Sequence, residues 1–180
     1  MIGVLVSGNG SNLQALVDER LPIVAVASNK PGIRALERAE TARIPAAVFE
    51  LQAYQDREAR DEAMADWLQE HSVELVVLAG YMHLLTAPFL ERFPRRIVNV
   101  HPSLLPAFPG AHAIADALAA GAATTGVTVH LVDAGLDTGP IIVQEEVPVE
   151  PAETLEERIH AVEHRLLPAA VRDMLAGVTA

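Results

Sequence analysis

Short apolar runs rich in β-branched residues alternate along the chain with longer stretches in which apolar side chains recur every three or four positions. The short runs predict strands at Ile2–Val6, Ile23–Ala27, Ala46–Phe49, Val73–Ala79, Ile97–Val100, Val127–Val132 and Ile141–Val147. The longer stretches predict helices through Leu13, Leu16 and Val17, through Ala35, Leu36 and Ala39, over Ala53–Glu70, over about His112–Ala120, and from Thr154 onward. Within Ala53–Glu70, the residues Ala59, Ala63, Met64, Trp67 and Leu68 share a face and are its expected buried side. Val73–Ala79 is almost continuously apolar, as suits a strand covered on both faces. The last helix opens with the capping-box spacing of Thr154 and Glu157, and Glu153, Glu156 and Glu157 sit at the positive end of its dipole. Its expected buried stripe is Leu155, Ile159, Val162 and Leu166, and Pro168 is expected to end or kink it.

Strand–helix alternation with short connections predicts an α/β fold: an open, mostly parallel twisted sheet with helices on both faces. The last two strands, joined around Asp133–Gly139, are expected to leave the parallel arrangement. No repeat or linker-like stretch interrupts the pattern, so the 180 residues read as one domain.

Charge narrows the field of partners. Against 13 Lys+Arg stand 24 Asp+Glu, a formal charge of -11. That balance repels phosphate backbones and anionic lipid, so neither nucleic acid nor a membrane surface is an expected partner. The absence of cysteine excludes disulfides, thiolate metal sites and cysteine nucleophiles. No run reaches the roughly 18 apolar residues of a membrane span, and Met1–Val6 is too short for a signal peptide core. A cytoplasmic enzyme is the expectation. Lys30 is the only lysine, so an anionic ligand falls to arginine, backbone N–H groups or helix termini.

In an open α/β sheet, ligands bind outside the carboxyl ends of the strands. That rule selects Ser7–Asn12, Gly80–Leu85, Asn99–His101 and Asp133–Gly139. The first, Ser7-Gly8-Asn9-Gly10-Ser11-Asn12, suits a phosphate held at a helix start; it equally suits a tight turn with Ser11 or Asn12 as helix cap. A dinucleotide site is disfavoured, because Leu13 replaces the third glycine and Ser28-Asn29 offers no acid to a ribose. Asn99 and His101, two apart on a strand, point the same way, and an amide beside an imidazole suits an oxygen that gains charge during attack. Read alone, they are also a capping Asn and an exposed His. Asp137 lies in a turn-forming Asp/Gly-rich segment, where a carboxylate near His101 would favour the imidazolium. Of the seven histidines only His160 and His164 have ligand spacing, and no glutamate accompanies them, so no metal is expected. Neither Ser7 nor Ser103 lies in a G-x-S-x-G elbow.

Taken together, Ser7–Gln14, Leu78-Ala79-Gly80-Tyr81-Met82, Asn99-Val100-His101-Pro102-Ser103-Leu104-Leu105-Pro106 and Leu136-Asp137-Thr138-Gly139-Pro140 resemble the phosphoribosylglycinamide formyltransferases, a folate-dependent family of purine synthesis. The Asn99–Pro106 segment also resembles methionyl-tRNA formyltransferase. Phe108-Pro109-Gly110, the glycine loop, the charge and the lack of room for a tRNA-binding domain favour the former, and the N-terminal regulatory domain usual in the related deformylases is not expected. The resemblance implies formyl transfer from 10-formyltetrahydrofolate, a co-substrate and not a tightly bound cofactor, to the amine of glycinamide ribonucleotide. Formyl transfer to another amine, such as methionyl-tRNA or an amino sugar nucleotide, is the alternative. The implied catalytic residues are Asn99, His101 and Asp137. Gly10, Ser11, Asn12 and Glu163 would hold the ribonucleotide; Arg57, Met82, His83, Leu84, Leu85, Asn99 and Asp133 would meet the folate. On this reading residues 1–100 form a nucleotide-binding half and residues 101–180 a folate-binding and catalytic half, in a monomer or homodimer. Two positions depart from the pattern: His83 stands where arginine is common, and Pro148–Thr154 runs a few residues short, which affects the register of Glu163.

Overall fold

The computed structural model describes residues 1–177, so the last three positions of the expected 1–180 domain lie outside the described residues. Strands β1 (Ile2–Val6), β2 (Ile23–Ser28), β3 (Ala46–Val48), β4 (Leu75–Leu78), β5 (Ile97–His101), β6 (Thr124–Leu131) and β7 (Ile141–Pro148) each overlap one of the seven predicted runs, with ends shifted by up to three residues. The helices are α1 (Ser11–Asp18), α2 (Arg34–Thr41), α3 (Arg57–Glu70), α4 (Ala87–Arg92), α5 (Ala113–Ala119) and α6 (Leu155–Leu175). The α/β class is as expected. Two compact units make up the chain, Met1–Val98 and a second beginning at Asn99, a division two residues before the boundary expected between the halves.

In the first unit the strand order is β3-β2-β1-β4, and every pairing is parallel. β1 and β4 are buried throughout, as their unbroken apolar composition requires. In the second unit the order is β5-β6-β7, and β6 pairs antiparallel with β7 in the predicted hairpin.

Four local expectations are corrected. α1 is capped by Gly10 in the left-handed conformation, not by the side chain of Ser11 or Asn12. The buried face of α3 carries Arg60, Asp61, Met64, Ala65 and Leu68; Ala59, Ala63 and Trp67 are only part-buried. The capping box of α6 does not form: the Thr154 hydroxyl donates to the Pro151 carbonyl and accepts from Arg158 Nε, both at 3.3 Å. Helix α6 also runs through Pro168 to Leu175, and its buried stripe takes Glu163 in place of Val162. The six-residue α4 had no counterpart among the predicted helices. No helix of the described residues is long and apolar enough to cross a membrane.

Candidate active site

The first unit places two of the expected segments, Ser7–Asn12 and Gly80–Leu85. After β1 the chain turns at Gly10, whose φ of +74° is the left-handed region that glycine enters without strain. A Cβ on Gly10 would stand 2.6 Å from Ala35 Cβ and 2.8 Å from Ala35 Cα, so the turn lies directly on α2. Ala35 N–H donates to the Gly8 carbonyl at 3.1 Å, and Arg38 Nε to the Asn9 carbonyl at 2.9 Å, fixing the turn from that side. The start of α1 therefore offers backbone N–H groups on a rigid loop. Gly8 is different, with nothing within 4 Å of an added Cβ. We expect Gly10→Ala to lower Tm by roughly 5–10 °C, from left-handed strain and the collision with Ala35. Gly8→Ala should melt like the wild type. Equal melting of the two variants would remove the close approach as the reason for Gly10.

After β4, segment 82–86 carries Met82 and Leu84 outward, 63% and 52% exposed. Ser7 Oγ accepts from Met82 N–H at 2.9 Å and lies 2.6 Å from the Asn29 side-chain amide. Arg57, in the first turn of α3 next to the Asp56 cap, donates to the Leu84 carbonyl at 2.5 Å. His83 is half-buried between Asn29 (3.2 Å) and Arg60 (2.6 Å). Burial first, then the charges of Arg60 and Arg57, hold this imidazole below its ordinary pKa. At the other end of the segment, Thr86 N–H donates to Asp61 Oδ2 at 2.8 Å.

The second unit brings Asn99, His101 and Asp137 together from 38 residues apart in sequence. Strand parity turns Asn99 and His101 to one side of β5, and both meet the same carboxylate. Asn99 Nδ2 is 3.5 Å from Asp137 Oδ1, and His101 Nδ1 is 3.5 Å from Asp137 Oδ2. The Phe108 carbonyl can only accept, so His101 Nε2 carries a hydrogen and donates to it at 2.8 Å. Ser103 Oγ donates to the carbonyls of Ala107 (2.5 Å) and Phe108 (3.2 Å), holding the loop that holds the ring. Gly110 N–H donates to Asp137 Oδ2 at 2.8 Å. Phe108 and Asp137 both have left-handed φ, 52° and 54°. Aspartate tolerates that region better than a bulky residue, so the strain gathers at Phe108, whose carbonyl orients the histidine.

A fourth side chain, absent from the sequence expectation, belongs to this cluster. His130 on β6 is 2% exposed. Its Nδ1 donates to the Leu131 carbonyl at 2.8 Å, which leaves Nε2 of the neutral ring to accept from Asn99 Nδ2 at 3.2 Å. The same Nε2 is 3.6 Å from Asp137 Oδ1 and, when protonated, faces that carboxylate as a donor. The His130 ring, followed by the Gly110 N–H and the His101 charge, holds the Asp137 carboxyl below the usual aspartate value against the opposing effect of burial. Asp133 behaves otherwise: its carboxylate takes Gly135 N–H (3.0 Å) and the Thr138 hydroxyl (2.7 Å) of its own turn. Glu163 is buried on α6, 5% exposed.

An acid, two imidazoles and an amide around one point can stabilise a developing negative charge and move a proton. Residues 1–171 match the family described as formyl transferase. The chain is 42% identical over 181 residues to the phosphoribosylglycinamide formyltransferase of Bacillus subtilis, covering 96% of this chain and 93% of that protein. It is 46% identical over 187 residues to the trifunctional purine biosynthetic protein adenosine-3 of Chironomus tentans, where it spans 98% of itself but 14% of the longer protein. Among solved structures, glycinamide ribonucleotide transformylase 1 from Symbiobacterium toebii is similar with a TM-score of 0.94 at 48% identity, over 98% of this chain and 87% of that one. With that likeness running through nearly its whole length, the chain belongs to the formyl transferase family.

Proposed function

We propose that the protein transfers the formyl group of 10-formyltetrahydrofolate to the amine of N1-(5-phospho-D-ribosyl)glycinamide, giving the N-formyl product and tetrahydrofolate in purine synthesis. The observation that carries this reading is the meeting of Asn99, His101 and Asp137 at one carboxylate, in a chain of the formyl transferase family. The neutral amine attacks the formyl carbon, and the former carbonyl oxygen takes up negative charge. The Asn99 amide and the positive charge of a protonated His101 stabilise that oxygen, while the imidazolium N–H groups stay directed at the Phe108 carbonyl and Asp137. A hydrogen on His101 Nδ1 turns its contact with Asp137 into a charge-assisted bond, and Asp137 passes a proton from the attacking amine toward the leaving nitrogen through water. Holding two substrates in register supplies much of the remaining acceleration.

The ribonucleotide phosphate binds the backbone N–H groups of Gly10, Ser11 and Asn12, with Glu163 toward its ribose and glycinamide. Met82, Leu84, Leu85, the 133–137 backbone and Arg57 meet the folate. Because the Asp133 side chain is committed to its own turn, that position contributes backbone. His83 is assigned to the same region. The enzyme acts in the cytoplasm on small molecules, without a metal or nucleic acid, as a monomer or homodimer.

A competition assay tests the assignment. With labelled 10-formyltetrahydrofolate, the ribonucleotide, methionyl-tRNA and an amino sugar nucleotide are offered together, and label is expected in the first alone. Label in either of the others would transfer the activity to that amine. The formal charge of -11 favours the small substrate over tRNA.

A further inference from the structure

The first unit contains a connected run of polar groups that the formyl-transfer steps leave unused. It begins and ends on segment 82–86. Met82 N–H is held by Ser7 Oγ, and Thr86 N–H by Asp61 Oδ2. The other Asp61 oxygen takes Arg60 Nε at 2.9 Å and Arg60 Nη2 at 2.6 Å, while Arg60 Nη1 turns away to His83 Nδ1 at 2.6 Å. From His83 Nε2 the run continues to the Asn29 amide at 3.2 Å and on to Ser7 Oγ at 2.6 Å, where it closes.

The direction of these bonds follows from their chemistry. A guanidinium only donates, so His83 Nδ1 is a bare acceptor and the hydrogen of the neutral ring sits on Nε2. Accepting that hydrogen requires the Asn29 oxygen toward the ring and its nitrogen toward Ser7 Oγ, an exchange of the amide ends from the arrangement in which Ser7 Oγ donates to Asn29 Oδ1 at 2.6 Å and Nδ2 faces the ring at 3.2 Å. Arg60 and Asp61 are both fully buried. Their ion pair is closed to any ligand and acts only through what it holds.

We propose that His83 is a positioning residue for the folate: with Arg60, Asp61, Asn29 and Ser7 it fixes both ends and the middle of segment 82–86, presenting Met82 and Leu84 in the form the co-substrate meets. The inference rests on the folate assignment of that segment made above. Its physical content is preorganisation, since a segment already held when free has less conformational freedom to lose on binding. Protonation is the natural way to break the run, because a hydrogen on Nδ1 would oppose the Arg60 N–H. The charged groups facing the ring are Arg60, Arg57 and Lys30, which resist its protonation, and Asp61, which favours it.

The experiment measures kcat and both KM values, between pH 5 and 8, for wild type, His83→Ala and His83→Gln, with thermal melts alongside. Glutamine can accept from Arg60 and donate to Asn29 but does not titrate here. At pH 7.5, His83→Ala is expected to raise the folate KM about tenfold, with kcat and the ribonucleotide KM changed by less than about twofold. His83→Gln should recover most of that loss. In wild type the folate KM should climb as pH falls toward 5, and in His83→Gln this climb should flatten. An unchanged folate KM in His83→Ala, an equal rise in both KM values, or the same acid climb in His83→Gln would each overturn the proposal. Absence of formyl transfer in wild type would instead overturn the functional reading on which it rests.

Discussion

Replacing His101 by Gln, or Asp137 by Asn, is expected to lower kcat/KM by at least about 10²–10³-fold at pH 7.5, the effect of losing a preorganised group at a developing oxyanion. Both substitutions are close in size to the native side chain. In Asp137→Asn the new amide oxygen can still accept the Gly110 N–H, so the 108–110 loop keeps its anchor. What disappears is the negative charge 3.5 Å from His101 Nδ1. Because the two groups work as one unit, the double variant should be scarcely worse than either single variant. Additive losses would show that they act separately. Wild-type rates in both single variants would remove the cluster as the reacting centre. Stability provides a parallel check with a defined sign. The folded Asp137 carboxyl lies below its ordinary value of 3.8. Its contribution to stability is therefore present above that value and lost as pH falls through the lower folded one. Asp137→Asn should accordingly lose less stability than wild type when melts at pH 5 are compared with melts near pH 2.

The strands of this fold are legible because each is a local event: a short β-branched run bounded by turn residues. The convergence of Asn99, His101 and Asp137 is legible for a different reason. Strand ends in an open sheet share one edge, and positions two apart on a strand share one side. His130 escaped notice because a lone histidine in the apolar run Val127–Val132 reads as a core residue, and the run shows nothing of what lies beside it. Its signal was strand parity with Thr128, whose hydroxyl donates to the Ser103 carbonyl and accepts from Leu105 N–H, so that one side of β6 is polar. The Phe108 carbonyl and Gly110 N–H have no side-chain signature at all. Helix α4 is six residues long, too short for a helical period to repeat. On α3 the hydrophobic pattern erred because it assigns charge to water, whereas here two adjacent charges are buried together. The Thr154–Glu157 capping box was lost to a competing local partner, the Pro151 carbonyl.

That buried pair leads to the second large effect, and it falls on stability. Asp61→Ala is expected to destabilise the protein by about 3–5 kcal/mol, the usual consequence of removing one member of a buried ion pair. For a chain of this size that lowers Tm by roughly 10–15 °C. Arg60 has no exposure, and Asp61 accepts two of its N–H groups as well as Thr86 N–H. Alanine would leave a guanidinium without its carboxylate in the packed face formed with Met64, Ala65 and Leu68, and would release the end of segment 82–86. A loss below about 1 kcal/mol would mean that water or another group already satisfies Arg60. The double replacement Arg60→Met with Asp61→Leu separates the two consequences. Apolar residues of similar volume often equal or exceed a buried ion pair in stability, so most of the lost Tm should return. The acceptor for Thr86 N–H and the donor to His83 Nδ1 do not return with it. The double variant should therefore melt near wild type while its folate KM stays raised, a combination that a purely structural role for Arg60 and Asp61 cannot produce.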